Sequence, residues 1–401
     1  MEKIIYVDNN ATTKVDERVL DEMLPFFCEK YGNPSSIHTF GGAISKDIEK
    51  ARAKVAELVG ANFPSEIIFT GSGTESANTA IKGTLFNNPR KHLVTTKVEH
   101  ACVLNTHKWL EKRGYKVTYL DVNNEGELNL QQLKESITDE TALVSIMWVN
   151  NETGVVSPIE EAAEIIKAKN PETIFFVDAV QAAGKIPLDV KSTKIDFLSI
   201  SGHKIHAPKG VGALYVKHGI LINPLIIGGH QERGRRAGTE NVTSIIGFGK
   251  AAELSQKGLK DEKTRIKALR KKLECGILER IYNARVNGGK AKRVPNTTNI
   301  SFEYIEGELI LLHLSDVGIC ASSGSACTSG SLEPSHVLRA MGIPLTAMHG
   351  SIRFSLSRFT KDEEIDYILE KLPTIIEKIN RLSPYQKELA KLKEIRNTII
   401  K

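Results

Sequence analysis

Between residues 66 and 216 short apolar runs alternate with helical patterns, and this alternation most limits the folds open to the chain. Strands are read at 66–70, 92–95, 117–120, 141–148, 174–177, 197–200 and 211–216, with helices at 75–85, 103–113 and 159–169 between them. Such a pattern implies an α/β sheet, mostly parallel, with helices on both faces. Ahead of it lie a turn-rich stretch at 8–13, a loop at 32–36 and a helix at 44–59. Behind it, residues 228–238 are rich in glycine and arginine without periodicity and read as a long functional loop. A long amphipathic helix is expected over 242–282, with a break near Gly258. It leads to a smaller C-terminal α/β unit with strands near Asn299, Ile319 and Ile352 and helices at 307–314 and 361–379. The charged tail after Pro384 is either a last helix or a frayed end.

Composition narrows the function. The chain has 401 residues, enough for two or three domains, and a formal net charge of +6 with both signs interspersed. No basic tract implies nucleic acid as a partner. The apolar run at 4–7 is too short for a secretory signal, and no later run approaches a membrane span. Five scattered cysteines without zinc spacing fit a reducing cytoplasm, and no metal is expected.

Several residues invite chemistry. The strand at 197–200 runs into Ser201-Gly202-His203-Lys204. A lysine amine in a partly desolvated pocket adds readily to an aldehyde, and Ser201 and His203 can donate to a phosphate. Alone, Lys204 is equally a side chain snorkelling from a strand end. Gly71-Ser72-Gly73-Thr74-Glu75-Ser76, between strand and helix, offers N–H groups and a dipole to a phosphate, or is an ordinary helix cap. It has neither the P-loop lysine nor the dinucleotide glycine spacing. Asp178 at a strand end needs a positive partner, for which a pyridinium nitrogen would serve. Gln181 and Asn151 can donate to a phenolic oxygen, and His100 can stack on a flat ring or move a proton. Together these fall just past four strands, the edge where open α/β sheets bind ligands. Small residues around Cys327, over 321–331, predict a flexible segment with a reachable thiol, or else a loop whose cysteine is incidental. Cys28, Cys102, Cys275 and Cys320 read as small core residues. Arg353 could clamp a substrate carboxylate, with Asn33 assisting, or form a salt bridge at a strand edge.

In combination these motifs resemble the cysteine desulfurases of the class V aminotransferase group, and most closely their nitrogen-fixation type. The likeness spans nearly the whole chain, from Tyr6-Val7-Asp8-Asn9-Asn10-Ala11-Thr12-Thr13 through Gly73-Thr74-Glu75-Ser76, Asn150-Asn151-Glu152-Thr153-Gly154, Val177-Asp178-Ala179, Ser201-Gly202-His203-Lys204 and Arg236-Ala237-Gly238-Thr239-Glu240-Asn241 to Arg353-Phe354-Ser355-Leu356. The resemblance implies a homodimeric, fold-type I transferase that depends on pyridoxal 5'-phosphate. Residues 1–15 would be an arm joining the small domain, 16–255 the large cofactor domain, and 256–401 the small α/β domain carrying the cysteine loop. By the same resemblance Lys204 would bind the cofactor aldehyde, Asp178 its pyridine nitrogen, and Gln181 and Asn151 its hydroxyl oxygen. His100 would stack on the ring. Gly73, Thr74, Ser201 and His203 would cradle the phosphate, with Thr239 reaching over from the partner subunit. Arg353, Asn33 and Asn151 would hold L-cysteine, and Cys327 would become a persulfide. The long loop around Cys327 is similar to the subgroup that hands sulfur to an iron-sulfur scaffold protein, where Cys327 could also ligate a cluster transiently. One departure is Ala207, where the family pattern has glycine before Pro208. A selenocysteine lyase, another class V lyase or transaminase, and a binding protein with a dead site are the rival readings.

Overall fold

Seven strands, most of them buried at nearly every residue, form the central sheet, the pattern of a sheet covered on both faces. The structure is a computed structural model and describes residues 4–86, 88–323 and 334–400. In chain order its strands are β1 (Ile5–Tyr6), β2 (Ile67–Thr70), β3 (His92–Thr96), β4 (Lys116–Leu120), β5 (Thr141–Met147), β6 (Ile174–Asp178), β7 (Phe197–Ser201), β8 (Gly212–Val216), β9 (Ala284–Val286), β10 (Thr297–Phe302), β11 (Ile319–Cys320) and β12 (Ser351–Ser355). The central sheet has the order β2-β8-β7-β6-β5-β3-β4. Its neighbours from β7 to β4 are parallel, and only β8 runs against both of its partners. The mostly parallel α/β sheet expected from the sequence is therefore present.

Strand alternation sends Phe175 into the core on one face, with Val55 and Phe248, and Phe176 into the core on the other, with Ile81 and Leu110. A second core, around Leu273, Ile300, Phe354 and Leu372, covers the small antiparallel sheet β12-β10-β9. The start of the chain belongs to this second core: β1 pairs with β11, and Ile5 and Val7 are fully buried there. The arm then crosses to the central sheet, where Thr13 N–H donates to the carbonyl of His203.

The helix expected to break near Gly258 does not break there. It runs as Val242–Asp261, passes through a π-helical turn at Glu262–Ile266, and continues as Lys267–Arg280. A mid-helix glycine costs only about 1 kcal/mol, and this helix offsets it by packing Phe248, Ala251 and Ala252 into the large core. The irregularity falls where the packing changes from one core to the other, at the buried ion pair of Lys185 with Glu262, 3.4 Å apart. The tail after Pro384 forms a helix, Gln386–Ile400. Among the described residues, no helix is long and apolar enough to cross a membrane.

Candidate active site

The carboxyl ends of β5, β6 and β7, the loop after β3 and the turn after β2 enclose a cavity of about 350 Å³. Ten residues singled out in the sequence line it: Gly73, Thr74, His100, Asn151, Asp178, Gln181, Ser201, His203, Lys204 and Arg353.

One end is an anion cup. The helix Gly73–Leu85 begins here, with Ser72 as its cap accepting from the backbone N–H of Glu75 at 3.1 Å. A Cβ on Gly73 would stand 2.9 Å from Val180 Cγ2, and one on Gly212 only 2.6 Å from the Ser72 carbonyl carbon, so the turn packs this closely only with glycine. Thr74 and Ser201 bring hydroxyls and His203 its ring. Burial, with the charges of Lys204 and Lys209, holds His203 down at about 4, so near neutral pH it is an uncharged imidazole. Its Nδ1 lies 3.1 Å from Thr12 Oγ1.

The other end is a buried carboxylate. Asp178 is 5% exposed, and its Oδ1 accepts from the Val180 N–H at 3.0 Å and the Ser199 hydroxyl at 3.2 Å. Burial pushes its pKa up despite the nearby positive groups. A carboxylate held this way gains most from a cation placed in the cavity. The amine lies in the same cavity: Lys204 Nζ donates to the carbonyls of Asn10 at 2.5 Å and Ala11 at 2.7 Å. Gln181 Nε2 also donates to Asn10 O, at 3.0 Å. The arm carbonyls are a feature that sequence reasoning missed, although the arm motif was conspicuous.

Arg353 combines the two readings open to it. It lines the cavity, yet Nη2 pairs with Asp8 Oδ1 at 2.7 Å and Nη1 donates to Asn151 O at 3.0 Å. Its Nε is buried without a hydrogen-bond partner among the described residues.

Two expected residues lie elsewhere. Asn33 is exposed and closes its own turn, its Oδ1 accepting from Ser35 N–H and its carbonyl from Ser36 N–H, so the fold of one chain does not bring it to the cavity. Thr239 is exposed beside Gly71 and Arg236, in a separate hollow. Cys327 lies outside the described residues. The remaining cysteines correct the expectation of small core residues: Cys28 and Cys275 are exposed because their helices turn them to solvent, Cys102 lines the cavity beside His100, and Cys320, at the end of β11, is only half-buried.

Glu99, just before His100, is fully buried. Its Oε1 accepts from Met147 N–H and the Thr96 hydroxyl, both at 2.8 Å, while Oε2 has no partner among the described residues. Burial pushes its pKa from 4.5 up to about 8. Between those values the folded protein keeps a proton that the unfolded chain releases, so stability falls as pH rises through that window. Glu99→Gln cannot ionise. Its melting temperature should decline less than that of the wild type from about pH 5 to 8, and parallel curves in calorimetry would rule this out.

Residues 5–368 match the family described as aminotransferase class-V. Cysteine desulfurase 2 of Trichormus variabilis is 59% identical over 388 residues, 96% of this chain and 96% of that protein. Cysteine desulfurase NifS of Azotobacter vinelandii is 54% identical over 382 residues, 95% of this chain and 94% of the relative. Among solved structures, a NifS-like protein superposes with a TM-score of 0.88 at 42% identity, covering 94% of this chain and 100% of that one. The apo cysteine desulfurase of Thermococcus onnurineus NA1 gives 0.83 at 26% identity, over 93% of this chain and 95% of that one.

Proposed function

The chain belongs to the class V aminotransferases, within which it is a pyridoxal-phosphate-dependent cysteine desulfurase of the nitrogen-fixation type, and from that premise we propose how its residues divide the work. The observation that carries the proposal is the meeting, in one cavity, of the Lys204 amine, the Asp178 carboxylate and the cup of Gly73, Thr74, Ser201 and His203. These residues fit the cofactor: the glycine turn brings the start of the helix Gly73–Leu85, with Thr74 and Ser201, to the cavity where a phosphate can dock, and the buried carboxylate calls for a cation such as a protonated pyridine.

When bound, the cofactor draws electrons from the substrate carbon and weakens its C–H and C–S bonds. Asp178 would hold a protonated ring nitrogen, Gln181 and Asn151 would donate to the hydroxyl oxygen, and His100 would stack on the ring. Lys204 would hold the cofactor through its aldehyde and, as a free amine, would take the Cα proton. Arg353 orients the substrate carboxylate, for which the Asp8 pairing must loosen. His100 offers a hydrogen toward the substrate sulfur. Cys327 thiolate attacks that sulfur. Over the whole reaction the cysteine C–S bond breaks, an S–S bond forms on Cys327, and Cβ receives a hydrogen. L-cysteine and a thiol thus become L-alanine and a persulfide, with no external oxidant or reductant.

The same reading assigns two residues to a homodimer. Thr239, exposed and outside its own cavity, would reach a partner's phosphate, and Asn33, also exposed, would meet a partner's substrate. A solution mass of one chain would remove this assignment. The sulfur acceptor we favour is an iron-sulfur scaffold protein in the cytoplasm. The decisive assay follows alanine and sulfide from L-cysteine, with and without such a scaffold. Equal amounts of alanine and transferred sulfur are expected, and no alanine would overturn the reading.

A further inference from the structure

His100 is the cap of the helix Ala101–Glu111, and its Nδ1 accepts the backbone N–H of Cys102 at 3.2 Å. A backbone N–H only donates. In this geometry Nδ1 is therefore bare, and a neutral ring must carry its hydrogen at Nε2. The Cys102 Sγ stands 3.1 Å from the same Nδ1, where its one compatible role is as an S–H donor. Burial pushes the Cys102 thiol up, which keeps that hydrogen in place.

We propose that His100 serves the reaction as a fixed Nε2–H hydrogen-bond donor and never as a base, and that Cys102 is the positioning residue that holds this tautomer. The inference rests on the cavity being the site of the desulfurase reaction. With two donors closing Nδ1 and a hydrogen already on Nε2, the ring has no place for the Cα proton, which leaves Lys204 as the base. The groups facing His100 are consistent with this. Asp178, Glu99 and Glu152 are buried carboxyls with raised pKa values, the Lys204 amine shares the cavity, and the helix start presents its positive end to the ring. In this assignment the Nε2–H, on the far side of the ring from Cys102, is the donor that meets negative charge as it grows on the departing sulfur.

The test is imidazole nitrogen NMR on holoenzyme labelled with 15N-histidine, with His100 assigned by comparison with His100→Gln. A protonated Nε2 and a bare Nδ1 are expected at about pH 7 to 8; a proton on Nδ1 overturns the inference. The signal does not depend on turnover, so it separates the two claims. A protein that makes no alanine but shows the Nε2–H ring faults the substrate reading and supports the tautomer, and alanine with the opposite tautomer does the reverse. For Cys102, loss of one hydrogen bond in Cys102→Ala should lower kcat about fivefold with KM unchanged, and Cys102→Ser should recover to within about twofold. Wild-type kinetics in the alanine variant, or a serine variant no better than alanine, removes Cys102 from the assignment.

Discussion

Lys204→Ala should fold, hold cofactor without a covalent link, and form alanine from cysteine more than about 10⁴-fold slower than the wild type. The fold should survive because the arm over the cavity has other attachments. Thr13 bonds His203 O through both its N–H and its hydroxyl, Thr12 Oγ1 meets His203 Nδ1, and Gln181 still reaches Asn10 O. Loss of the two bonds from Nζ should cost about 1–3 kcal/mol. The proposed phosphate contacts through Thr74, Ser201 and His203 would not involve the amine, so cofactor should remain, readable by its release on denaturation. The yellow absorbance of the lysine-bound form should be gone. Sulfide production at the wild-type rate would sink the assignment of Lys204.

The central sheet was legible because each strand is a short apolar run closed by a turn or a helix start, so Phe175-Phe176-Val177-Asp178 announced both the strand and the residue left at its mouth. The site was legible for the same reason: residues that follow strands directly converge on one edge. What depends on distant partners was not. The stretch 228–238, read as a loop, contains a short 3-10 turn at Gln231–Gly234 in which Glu232 and Arg233 take φ of 47° and 59°, values that cost a side-chain-bearing residue strain. It is fixed by Arg52, which grips Glu232 with two bonds of 2.6 and 2.9 Å from 180 residues away. Nothing local in the sequence signals that pair. Likewise nothing local in the sequence signals that Asn33 closes a turn of its own and that Thr239 lies in a separate hollow, both outside the cavity. Cys102 was passed over because its neighbours Ala101 and Val103 look like core; its place beside His100 follows from the capping geometry that turns the histidine back onto its own helix.

Cys327→Ser should keep the yellow resting form and still bind cysteine, shown by a change in absorbance, while turnover falls below about one per cent of the wild type. A serine hydroxyl is a poor nucleophile toward sulfur, whereas every step before sulfur transfer belongs to Lys204 and the cofactor pocket. The rival acceptor is Cys102, which among the described thiols is the one that lines the cavity. It is badly suited to attack: the nucleophile must be a thiolate, and burial drives Cys102 toward the protonated form. Cys28 and Cys275 are exposed on helices and do not line the cavity, and Cys320 is half-buried in β11 beside Tyr6. Brief exposure of wild-type protein to cysteine, followed by mass spectrometry of its peptides, should therefore find one added sulfur atom on the peptide containing Cys327, and none there in Cys327→Ser. Added sulfur on Cys102, or normal turnover by Cys327→Ser, would show that the persulfide forms elsewhere and that the proposed transfer is wrong.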